Sequence, residues 1–200
     1  MNRLRFTLIA LAVTLAFTLP AVGQTRSISS RISPHEVVSA HIGSRGGPLV
    51  MIVYGRPYSK DPKTGEIRKI WGGLVPFDKV WRTGADEATL MITAKPIVIG
   101  DTTIPAGAYT LFTLPKADGT AKLIINKKIG QWGIPYNEDK EKDNELARID
   151  LQKAPAPATQ VDQFTMSIEP DTVTAGASGG AMIKMVWENT AFAMPFTLAK

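Results

Sequence analysis

Past residue 33, apolar residues recur along this chain in short runs or in strict alternation, and no long segment repeats them at the 3.6-residue spacing of a helix. Leu49, Val50, Met51, Ile52, Val53 and Tyr54 form a compact run that stops at Gly55 and Pro57. Residues 88–93 alternate Thr with apolar side chains, and residues 97–99 lead into a Gly100-Asp101 turn. Residues 109–114 and 122–126 flank the turn residues 116–119, which predicts a hairpin. Residues 164–168, 183–187 and 192–196 each keep period two. Strands at this spacing predict an all-β, single-domain antiparallel β-sandwich or flattened barrel with long loops. At most one short helix is expected, within residues 138–148. Pro195 predicts that the last strand lies at an edge, since proline cannot donate to a ladder.

The first residues are a different kind of segment. Arg3 and Arg5 precede an apolar stretch over residues 6–19, Pro20 breaks it, and Ala21 and Gly23 place small residues before Gln24. That is the layout of a secretory signal peptide, and the stretch is shorter than the ~20 residues that span a bilayer. The expected organisation is a signal peptide over 1–23, a polar flexible leader over 24–33 and one β domain over 34–200. The product is then exported, periplasmic or extracellular, with no transmembrane segment in the mature chain. Residues 153–158 read as a semi-extended connector and residues 174–180 as a flexible hairpin tip; neither is long enough to divide the domain.

Composition narrows the chemistry. The absence of cysteine excludes disulfides, a thiol nucleophile and an all-Cys zinc site. Two histidines, His35 and His41, stand six apart without clustered acids, so no metal and no cofactor is expected. The net charge of +5 falls to +3 when Arg3 and Arg5 leave with the signal peptide. No basic run is present, and the densest charge cluster, residues 138–145, mixes both signs, so nucleic acid is not an expected partner. Phosphate-cradling, dinucleotide, zinc-protease and nucleophile-elbow motifs are all missing.

One stretch stands apart. Trp71 through Thr89 sets two Trp, Arg82, Asp86 and Glu87 around glycine-containing turns, directly before an apolar strand. The blocks Tyr54-Gly55-Arg56-Pro57, Gly73-Leu74-Val75-Pro76, Trp81-Arg82-Thr83-Gly84-Ala85-Asp86-Glu87-Ala88-Thr89, Pro105-Ala106-Gly107-Ala108-Tyr109-Thr110-Leu111-Phe112 and Trp132-Gly133 resemble the DUF2911 family. That is a family of uncharacterised, mostly exported bacterial proteins. The resemblance runs from about residue 33 to the C-terminus and implies export but no mechanism. The sequence departs from the family pattern at Asp86, where Asn is usual.

The motif reads in two ways. As scaffold, Arg82 pairs with Asp86 or Glu87 across a Gly84 turn and Trp81 plugs the loop against the sheet. As a site, Arg56 and Arg82 present forks to a ligand while Asp86 and Glu87 accept from it. Adjacent residues entering a strand point to opposite faces, which argues against Asp86 and Glu87 sharing one task. Trp187 reads as core, whereas Trp71, Trp81 and Trp132 read as packing or as pocket walls. The candidate ligand-binding residues are Arg56, Trp81, Arg82, Asp86, Glu87, Tyr109 and Trp132.

The expected function is a non-catalytic binding module for a small polar ligand, glycan or envelope component. A hydrolase or isomerase using Glu87 or Asp86 with Arg82, and a protein-interaction module of the envelope, are the alternatives. The export reading has its own test. The intact mass of the exported product should match a chain that starts at Gln24, and a full-length, membrane-retained main species would refute it.

Overall fold

The computed structural model describes residues 32–43, 45–170 and 180–200. The expected signal peptide, most of the leader and the tip over 174–179 lie outside the described residues. Burial follows period two whether the sequence alternates or not: in β2 (Leu49–Gly55), a continuous apolar run, Val50, Ile52 and Tyr54 point inward, and in β3 (Thr89–Thr93), Thr89, Met91 and Thr93 do. The other strands are β1 (His35–His41), β4 (Ile97–Ile99), β5 (Thr102–Ile104), β6 (Gly107–Pro115), β7 (Ala121–Asn126), β8 (Glu145–Asp150), β9 (Gln152–Lys153), β10 (Val161–Pro170), β11 (Ala181–Glu188) and β12 (Thr190–Leu198).

Two antiparallel sheets result, and they do not close into a barrel. One runs β1-β2-β3-β6-β7-β8; the other runs β10-β11-β12-β4-β5, with β9 also pairing with β12. The β4–β5 hairpin leaves the first sheet after β3, completes the second, and returns the chain to pair β6 with β3. The inward faces meet in one core that joins Ile52, Met91, Leu111 and Leu123 of the first sheet to Phe164, Ile183, Trp187 and Phe196 of the second. Each such side chain stabilises the fold by roughly 1.5–3 kcal/mol on full burial. The architecture is therefore a sandwich.

Two local expectations need correction. Strand β12 is not an edge: β11 flanks it on one side, β9 and β4 on the other. Pro195 is tolerated because β9 pairs at residues 192–193 and β4 at residues 197–198, which leaves a gap opposite the proline. The helix α1 (Glu138–Glu141), capped by the Asn137 side chain, is only four residues long, and Glu145–Asp150 of the same charged region is strand β8. His35 and His41 do share one exposed face of β1.

The outer face of the first sheet carries a second apolar layer. Phe112 and Ile124 pack there with Ala88, and Val80, Leu114 and Tyr136 close around them. This is why β6 is buried on both faces over Tyr109 to Thr113. The long β2–β3 connection supplies much of the cover. It pairs Tyr58 with Gln163 of β10, then reaches β6, where Trp81 pairs with Thr113.

Close approach of this connection to β2 depends on glycine. A Cβ on Gly55 would lie 2.2 Å from the Ala85 carbonyl oxygen and 3.0 Å from His35 Nε2. Both backbones are held here by the bond from Ala85 N to Gly55 O at 3.2 Å. Gly55→Ala should therefore cost about 1–3 kcal/mol in urea unfolding. A loss below about 0.5 kcal/mol, the range of an ordinary surface change, would contradict this account.

Candidate functional site

The pairing to β6 explains the shape of the Trp81–Glu87 motif. Thr89 of β3 sits opposite Leu111, and Trp81 sits opposite Thr113, bonded through both backbones at 2.8 Å. Two positions on β6 are thus spanned by eight on the facing line, so residues 82–88 must leave the sheet and return. Thr89 N closes the excursion onto Arg82 O at 3.1 Å, and Thr89 Oγ1 donates to Thr83 O at 2.7 Å. Thr83 and Asp86 take φ of 55° and 64°. A β-branched residue in the left-handed region is strained, and here the buried Thr83 Oγ1 shares a 2.8 Å hydrogen bond with Thr113 Oγ1. A Cβ on Gly84 would meet Gly55 O at 2.9 Å, so the turn lies flat on the end of β2.

Trp81 anchors the excursion from inside. Its Nε1 donates to Gly84 O at 3.1 Å, and its ring stacks on Trp187 at 5.8 Å and meets Phe164 edge-on at 5.1 Å. Trp71 completes this cluster, 6.0 Å from Trp81. Trp71 and Trp81 are thus packing residues at one end of the sandwich, and Trp81 also reaches the surface.

Beside Trp81 opens a cavity of about 250 Å³, walled by Pro57, Tyr58, Leu74, Arg82, Asp86 and Ile134 among others. Leu74 and Ile134 are exposed apolar side chains on its wall. Arg68 also lines it and is held by the carbonyls of Tyr58 and Ser59. Arg82 is held more loosely: one bond, from Nη1 to Trp132 O at 3.4 Å, and the Trp132 ring 4.6 Å from its guanidinium carbon. Its Nε is buried with no hydrogen-bond partner. Burial pulls the guanidinium below its ordinary value, against the attraction of Asp86 and Glu87.

The family model described as a protein of unknown function (DUF2911) matches residues 33–196. The chain belongs to DUF2911. No curated protein and no solved structure matches it. In this DUF2911 domain Asp86 sits in the left-handed region, which Asp and Asn tolerate best after glycine.

Asp86 and Glu87 do not point apart as a strand would direct them, because β3 begins only at Thr89. Both reach the same imidazole: His35 Nε2 lies 3.9 Å from Asp86 Oδ2 and 3.5 Å from Glu87 Oε2. Among the described residues neither forms an ion pair with Arg82, and no group of three or more His, Asp or Glu side chains is placed to hold a metal.

The remaining candidates separate. Arg56 is consumed by structure: Nη1 pairs with Glu36 at 2.6 Å, Nε donates to Phe164 O at 3.1 Å and Nη2 to Thr165 Oγ1 at 2.9 Å. It ties β2 of one sheet to β10 of the other and does not line the cavity. Tyr109 lies in the main core, its hydroxyl donating to Pro105 O at 3.0 Å. Trp132 is 54% exposed over Arg82. Ile134 and Arg68 escaped the sequence reading; only the Trp132-Gly133 block pointed toward the first.

The two arginines of the DUF2911 domain should behave oppositely on truncation. Arg56→Met should cost about 1–3 kcal/mol, since it strips donors from Phe164 O and the Thr165 hydroxyl. Arg82→Met should cost under about 1 kcal/mol, as it loses one long bond and a ring contact. Urea unfolding of both variants checks the contrast, and equal losses would refute it.

Proposed function

We propose that this domain is exported and is a non-catalytic binding module whose ligand is a small molecule with an anionic group. The anionic group pairs with Arg82, and an apolar body rests on Leu74 and Ile134. One observation carries the reading: a charged guanidinium lines a cavity while its buried Nε has no acceptor. A half-buried, under-paired guanidinium of this kind gains most from a charged acceptor, because hydrogen bonds to ionised groups are the strong ones. Arg56, with all its nitrogens engaged, offers no such position.

Size restricts the ligand further. At about 250 Å³ the cavity falls below the ~300–1,000 Å³ of sites for drug-sized molecules. A short aliphatic or single-ring carboxylate suits it better than an oligosaccharide. Asp86 on the wall disfavours ligands with more than one negative charge.

The test is a thermal-shift and calorimetric series on the purified protein with benzoate, hexanoate and their uncharged amides. The carboxylates should bind saturably in calorimetry and stabilise by about 2.7 kcal/mol at a hundredfold excess over Kd, and the amides should do neither. Arg82→Met should abolish the response while keeping the fold. A response that is equal for acids and amides, or unchanged in Arg82→Met, would overturn the assignment.

A further inference from the structure

The segment between β7 and α1 folds back over the outer face of β6 and lines a second cavity, open on one side, of about 130 Å³. Its walls include Phe112, Lys128, Gln131, Tyr136 and Glu141. Gly133, at φ 85°, lets the backbone lie against Phe112: a Cβ there would sit 3.0 Å from the ring.

The orientation of the Gln131 amide follows from its neighbour. Thr110 Oγ1 donates its only proton to Lys128 O at 2.7 Å, so it meets Gln131 as an acceptor, and Gln131 Nε2 donates to it at 3.0 Å. That places the amide oxygen on the opposite side, where Oε1 is buried without a hydrogen-bond donor. Glu141, mostly buried, offers a second acceptor: Oε1 receives Lys128 Nζ at 3.2 Å and Oε2 receives Asn126 Nδ2 at 3.2 Å. The aromatic part of the wall is Phe112 edge-on to Tyr136, 4.8 Å between centroids. Tyr136 is no donor to the cavity, since its hydroxyl proton goes to Glu145 Oε1 at 2.7 Å. Lys128, on the same wall, carries a half-exposed ammonium.

Acceptors and π faces around a small volume describe a site for a compact group that donates hydrogen bonds and carries positive charge. We propose that this cavity binds a primary ammonium group on a short carbon chain, with Gln131 Oε1 and Glu141 as its acceptors and the Lys128 ammonium as the group it displaces. The site shares only the Ile134 wall with the anion cavity. It uses other polar side chains and the opposite charge.

The test is a nuclear magnetic resonance titration of the purified protein with ethylammonium chloride, against potassium chloride at equal ionic strength and against ethanol. Ethylammonium should shift the Gln131 side-chain amide resonances saturably, and neither control should. Read at the backbone amides of Lys128 and Tyr136, Gln131→Met and Glu141→Gln should each weaken binding by about tenfold or more. Lys128→Met should tighten it several-fold, and Arg82→Met should leave it unchanged. If Gln131→Met fails to fold, the shape-preserving Glu141→Gln decides alone. An unsaturable response, an equal response to ethanol or potassium, or binding that Lys128→Met weakens would overturn the proposal.

Discussion

The geometry of the candidate site depends on one mismatch in strand pairing. Trp81 and Thr89 occupy positions two apart along β6, yet seven residues lie between them in the chain. The surplus must leave the sheet, and the buried Thr83 and Thr89 hydroxyls, the Gly84 turn and the Trp81 indole together leave it one way to go. Residues 82–88 therefore form a rigid excursion, strained at Thr83 and closed at its base by Thr89 N. Strain of this kind persists only where its surroundings over-determine it. That excursion supplies one wall of the cavity, through Arg82, Gly84, Ala85 and Asp86.

Two arginines in the same family motifs show how context divides one chemistry into two roles. Arg56 has three engaged nitrogens and joins the sheets, so its charge is neutralised by Glu36 and its donors are saturated. Arg82 has one long hydrogen bond, a tryptophan face and an unpaired Nε. Carboxylates approach it through the field of Asp86 and Glu87, while contact within ion-pair range is made by both acids to His35. The guanidinium is thus charged, half-buried and poorly paired, which is costly in a scaffold and useful in a binding site.

Much of the fold was legible in local pattern. A compact apolar run marked β2, alternation marked β3, β10, β11 and β12, and turn residues placed the β4–β5 and β6–β7 hairpins. Strand β8 was hidden because it lies on the sheet edge and alternates charged with small or apolar residues beside a capped helical turn. The edge position inferred from Pro195 failed for a different reason. A proline needs only a missing partner at its own nitrogen, and the gap between β9 and β4 supplies that inside a sheet. Of the site residues, Trp81, Arg82, Asp86 and Trp132 come together; Arg56 and Tyr109 share the family blocks but serve the frame and the core.

The sequence by itself determined the β class, the strand spacing and the position of the glycine-bounded motif, because side-chain alternation and turn chemistry are properties of neighbouring residues. Only the tertiary structure decided which arginine has every nitrogen engaged and which keeps an unpaired Nε. The partners that saturate Arg56, Phe164 and Thr165, lie 108 and 109 positions away, and the tryptophan that covers Arg82 lies 50 away. Hydrogen-bond saturation is set by what folding brings within about 3 Å, and no local pattern encodes that distance.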